Sequence, residues 1–297
     1  MATLSFPIKK LSKYYEFYVS FIKSVFEVAG EPVVLDPTLN YIVPAAFYVK
    51  INGKLAFIDL SDFHDEYNYK IEGGDWVKQN KFYEPENMAV PVFKRSMKVG
   101  VKYADNVFPF GPFYVANNKT SEDLNILMSI GNIYDPLKGT QILNTNRVWA
   151  GALITRKSAF ANIDVNKLLP EVSFDDSRLP LHQHWHRLGG CISTLNISGA
   201  YYTSQDIGAI EAMFLGICGI SNNFDIQLPF NNRLQHGTHY IHILDDYSNI
   251  NECLNYPYEN RAICKDMGDA VYELMIKTCS PKALVKWFSQ VVEEYYE

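Results

Sequence analysis

The stretch from Cys191 to Ser221, CISTLNISGAYYTSQDIGAIEAMFLGICGIS, decides the fold. "CISTLNIS" is a short apolar run bounded by turn residues and reads as a buried strand. "SGAYYTSQDIG" is a glycine-containing loop. Ile210, Met213 and Phe214 recur at helical spacing, Gly216 supplies a stop, and "ICGIS" reads as a second buried strand of small residues. Strand, loop, helix and strand in that order make one turn of a parallel sheet. Glu211 is the anomaly, a carboxylate read here into the first turn of an otherwise apolar helix.

The same alternation continues on both sides. "RVWAGALIT" reads as a strand, "RKSAFANIDVNKLLP" and "PLHQHWHRLGG" as helices, and "THYIHI" as a strand before the acidic loop "LDDYSN". The end is helical except at Ser280-Pro281. The first half reads as a sheet with helices: "YYEFYVSFIKSVFEVAG" is a helix stopped by Gly30, and Asn52-Gly53 joins two strands by a type I′ turn. "VVLD", "MAVPVFKRS" and "NVFPFGPFYV" are further strand candidates. The expected boundary lies at 135–145, around "YDPLKGTQ". It gives an α/β domain over 1–140 and an α/β domain with terminal helices over 141–297, which the resemblance described below makes the acceptor-side and the nucleotide-sugar-binding domain.

Composition narrows the function classes. The 297 residues are 47% apolar, enough for a sizeable core. Residues 1–150 carry 16 basic and 16 acidic side chains, and the rest 11 and 17, so the net charge of -6 arises in the second half. A general nucleic-acid binder would carry a basic excess. No apolar run is long enough for a membrane span, and the start lacks the pattern of a signal peptide. Five cysteines without metal-type spacing suit reduced thiols in the cytoplasm.

The order of strand, glycine loop, helix with Glu211, small-residue strand, "HGTHYIHILDD" and terminal helix resembles the second half of GT-B glycosyltransferases, over roughly residues 145–290. The resemblance implies two Rossmann-like domains facing a cleft, with the C-terminal helix packing back on the first. It implies a nucleotide-sugar donor, a hydroxyl acceptor and no cofactor. Glu211 matches the glutamate that holds the donor ribose. Gly208 matches the helix entrance, and Ser204, Gln205 and Asp206 belong to the loop that meets the diphosphate. Many retaining members carry a second glutamate eight positions earlier. Thr203 stands there, so that carboxylate would be absent or supplied by Asp206.

Other candidates follow from chemistry and position. Arg156 and Lys157, after a strand, would neutralise a leaving diphosphate, or would mark a solvated helix start. Asp59, Asp62, His64 and Asp65 gather after a buried strand. Asp62, then His64, would serve as the base for an acceptor hydroxyl, while a turn cap is the structural alternative for Asp62. Lys94 and Arg95 would reach an anion, or would only protect an edge strand. His239 would touch sugar or base. His182 and His186 share a helix face but lack the partner ligands of a zinc site, so no metal is expected. His184 or His186 would lie near the donor. For Glu211 a capping box is the structural alternative. A glycan acceptor is favoured over a modified DNA base. A non-catalytic nucleotide-sugar-binding or interaction module is the second reading.

Overall fold

The computed structural model describes residues 2–6, 13–39, 41–43, 46–60, 71–72, 75–76, 84–95, 97–111, 126–127, 141–143, 158–174, 179–197, 207–222 and 224–297. It is an α/β protein whose chain divides into two compact units. Unit one takes residues 1–125, 226–233 and 278–297; unit two takes 126–225 and 234–277.

Unit one is built on a mixed sheet. Its strands are β1 (Leu4–Phe6), β2 (Val33–Leu35), β3 (Tyr41–Val43), β4 (Ala46–Ile51) and β5 (Lys54–Asp59). After a two-residue ribbon of β6 (Ile71–Glu72) and β7 (Asp75–Trp76) come β8 (Val92–Lys94) and β9 (Val107–Pro109). The sheet order is β2-β1-β4-β5-β8-β9, with β3 also on β4. The β4–β5 turn has both Asn52 and Gly53 at positive φ, the type I′ geometry that Asn-Gly favours. Helix α1 (Lys13–Ala29) ends at Gly30, also at positive φ.

Side-chain alternation gives this sheet two different faces. Ala46, Phe57, Val92 and Val107 form one apolar cluster. Phe93 turns the other way, onto Phe288 of the last helix, with ring centroids 4.8 Å apart. Phe26 of α1 stacks on the same Phe288 ring, and Phe110 meets it tilted. Trp287 of that helix donates its indole N–H to Pro109 O at 2.8 Å.

Unit two carries a parallel sheet of β10 (Gln141–Leu143), β11 (Val172–Phe174), β12 (Ser193–Asn196), β13 (Cys218–Ser221) and, beyond the ribbon β14 (Gln227–Leu228) with β15 (Asn232–Arg233) of unit one, β16 (Tyr240–His242). The order is β11-β10-β12-β13-β16, and every neighbouring pair is parallel. In chain order this is 2-1-3-4-5, a doubly wound sheet whose switch point falls between β10 and β12. Helices α2 (Leu181–Gly189) and α3 (Ile207–Phe214) pack against each other, and α3 lies on β12 and β13. The opposite face buries Leu195, Ile197, Cys218, Ile220 and Ile241 against α4 (Ile250–Glu259) and α5 (Arg261–Cys279). Gly268 of α5 sits so close to the turn after α3 that an added Cβ would meet Gly216 O at 2.1 Å. Helix α6 (Pro281–Tyr296) starts at Ser280, whose hydroxyl caps Ala283 N, and belongs to unit one beside α1.

Several local expectations change. The stretch read as one helix from Arg156 is helical at 158–161 and returns only as a 3-10 turn at Val165–Lys167, because the Asp164 carboxylate accepts from Asn166 N and caps that turn separately. "RVWAGALIT" lies outside the described residues, and the first described strand of unit two is β10, inside the stretch read as a boundary.

Candidate functional site

In a doubly wound sheet, ligands collect beyond the carboxyl ends of the strands. Helices that connect parallel strands run antiparallel to them, so α2 and α3 both begin at that edge. Glu211 is the fifth residue of α3 and therefore lies in its second turn, not the first. This corrects the sequence reading and removes the capping box, which needs a carboxylate at the third helical position.

The side chain of Glu211 is fully enclosed. His184 Nε2 of α2 lies 3.3 Å from Glu211 Oε2, and the imidazole is the partly exposed member, at 19% against 1%. Trp185 beside it is buried and stacks on exposed His182, with ring centroids 5.6 Å apart. His182 and His186 face outward while His184 faces inward. Among the described residues, no group of three or more His, Cys, Asp or Glu side chains is arranged to hold a metal.

A second feature has no counterpart in the sequence reading. Asn196, Ser221 and His242 end three adjacent strands in register. By alternation they point away from Leu195, Ile220 and Ile241, onto the face that carries α2 and α3. Gly219 lets the Phe224 ring pack against this face: a Cβ there would meet the ring at 2.9 Å and Asn196 Nδ2 at 3.7 Å. The His242 Nδ1 atom is buried without a hydrogen-bond partner. The rings of His236 and His242 lie 5.8 Å apart, and the His242 backbone N–H donates to His236 Nδ1 at 3.2 Å. The signal in the sequence was the polar residue that closes each apolar strand run.

Gly208 is the second residue of α3. His239 turns back into its own loop, where Nδ1 accepts from Gln235 N at 3.0 Å; burial lowers its pKa. Lys94 is fully buried, and its ammonium lies 2.8 Å from Asp59 Oδ2, also buried. This ion pair joins the carboxyl ends of β5 and β8, whose last residues are in register. It leaves Lys94 enclosed and partnered rather than open to an anion. Arg95, half-buried, donates its backbone N–H to Asp59 O. Asp62, His64, Arg156, Lys157, Ser204, Gln205 and Asp206 lie outside the described residues, as does Thr203. The loop "LDDYSN" folds on itself: Asp246 accepts from the backbone and hydroxyl of Ser248, which lowers its pKa.

No protein-family model matches the chain, and no curated protein aligns significantly with it. No helix among the described residues is long and apolar enough to cross a membrane.

Proposed function

We propose that the chain is a glycosyltransferase that moves a sugar from a nucleotide-diphosphate donor to a hydroxyl acceptor, a glycan rather than a modified DNA base. The reading is supported above all by Glu211, which stands on the helix leaving the central strand of a doubly wound sheet. Its enclosure changes the role assigned to it. The carboxylate holds and orients His184, and the imidazole is the part of the pair that a ribose diol meets. Asn196, Ser221 and His242 offer further hydrogen bonds along the same edge. Arg156, Lys157 and the Ser204–Gly208 loop are assigned to the diphosphate, and Asp62 to deprotonation of the acceptor hydroxyl. Five free, buried cysteines suit a reducing cytoplasm.

A thermal-shift panel of UDP-, GDP-, CMP- and dTDP-sugars tests this reading. A donor at one hundred times its Kd adds about 2.7 kcal/mol and raises Tm by several degrees. No shift with any of them would remove the donor.

A second reading, a nucleotide-sugar-binding module without catalysis, is favoured by Thr203, which stands where many retaining enzymes of that superfamily have a carboxylate. Tight donor binding with no turnover across an acceptor panel would favour it.

A further inference from the structure

Unit one holds a hollow of about 490 Å³ between the amino ends of its strands and helix α6. Asn52 and Glu31 line it, just before β5 and β2, together with Lys282, Val285, Lys286 and Ser289 of α6. β1, β2, β5, β8 and β9 all run the same way, because β1 and β5 each pair antiparallel with β4. The hollow is therefore at the opposite edge of the sheet from Asp59 and Lys94.

Two features point to a ligand. Glu31 Oε2 and Ser289 Oγ are buried and have no hydrogen-bond partner. Buried polar atoms are normally satisfied, so two orphaned atoms on residues that line one hollow mark side chains that gain partners by turning toward a bound group. Lys282 and Lys286 stand one helical turn apart on the same face of α6, both exposed. They offer two ammoniums to one anion.

We propose that this hollow is a binding site for a small phosphorylated polyol, a sugar phosphate. The lining decides the class. Two lysines and one glutamate leave a net charge of +1, which favours an anion over a zwitterion such as an amino acid. A phosphate monoester suits two ammoniums better than a single carboxylate does. An ionised carboxylate only accepts, so Glu31 requires a donor, and a sugar hydroxyl provides it while Ser289 takes either role. The terminal torsion of a Glu side chain is broad, so Oε2 turns into the hollow when that hydroxyl arrives. The volume lies within the range of ordinary small-molecule sites. The site lies in unit one and does not depend on the glycosyltransferase reading.

Isothermal titration with glucose 6-phosphate, inorganic phosphate, glucose and glycine tests the proposal. Glucose 6-phosphate is expected to bind at least about tenfold more tightly than inorganic phosphate, a difference one charged hydrogen bond supplies. K282Q/K286Q should weaken it by about tenfold or more with Tm unchanged, since both lysines are exposed. Glu31→Gln should narrow the preference for glucose 6-phosphate over inorganic phosphate. The Val285 methyl resonances should move with glucose 6-phosphate. Equal binding of inorganic phosphate would mean a bare anion patch and overturn the proposal. So would preferential binding of glycine, no binding of glucose 6-phosphate up to about 10 mM, unchanged affinity in K282Q/K286Q, or unmoved Val285 methyls.

Discussion

His184 Nε2 stands 3.3 Å from Glu211 Oε2, and of the two side chains only the imidazole reaches solvent. The pair joins two helices that start at the same edge of the parallel sheet. A carboxylate with no exposure is costly unless a cation or donors hold it. The geometry therefore makes His184 part of what permits Glu211 to sit in an apolar helix.

Removing His184 alone takes away the imidazole 3.3 Å from an enclosed carboxyl group. His184→Ala should lower unfolding free energy by about 1–3 kcal/mol, the cost of leaving a buried polar group without a neighbouring partner. Adding Glu211→Gln replaces the carboxyl group and should restore part of that loss. Urea unfolding of both single variants and the double measures the coupling. Additivity within about 0.5 kcal/mol would mean that the two side chains do not interact.

The buried pair of unit one behaves by the same rule. Lys94→Met takes the ammonium away from the buried Asp59 carboxylate and should cost about 3–5 kcal/mol, while Asp59→Leu with Lys94→Met should be far milder. A single variant within about 1 kcal/mol of the wild type would show that Asp59 is satisfied without the ammonium.

The loop before β16 is held by two imidazoles acting as acceptors, His239 for Gln235 N and His236 for His242 N. An imidazolium has no acceptor. Burial lowers the His239 pKa, so the neutral ring is favoured in the folded state. That contribution is complete above the unfolded value, near 6.5, and is lost as pH falls through the lower folded value. The Gln235 amide should be protected at neutral pH and lose protection in acid, once the intrinsic slowing of exchange at low pH is allowed for. Uniform behaviour across the loop would contradict the acceptor role.

Local punctuation was the most legible part of the sequence. Asn52-Gly53, Gly30, Gly216 and Ser280-Pro281 end or join elements through their own backbone chemistry, and each does so in the structure. The strands around Glu211 were legible because an apolar run between turn residues needs no distant information. The three-residue β10 and the return of 226–233 to unit one were not, because their partners are remote in sequence. The enclosure of Glu211 was hidden for the same reason: its neighbour His184 belongs to another helix. Lys94 read as an available cation because nothing nearby announces that β5 brings Asp59 against it.

The proposed function requires that a nucleotide's ribose be held where α3 meets α2. Isothermal titration compares a nucleotide sugar with its 2′,3′-dideoxy analogue, on wild type and Glu211→Gln. Glu211→Gln should fold with a Tm near wild type and bind the ribose-containing donor about tenfold or more weakly, because the His184 imidazole that meets the diol loses the carboxylate that orients it. The dideoxy analogue should bind both proteins almost equally. Unchanged donor affinity in Glu211→Gln, or equal losses for both ligands, would contradict the claim and leave the pair as part of the core.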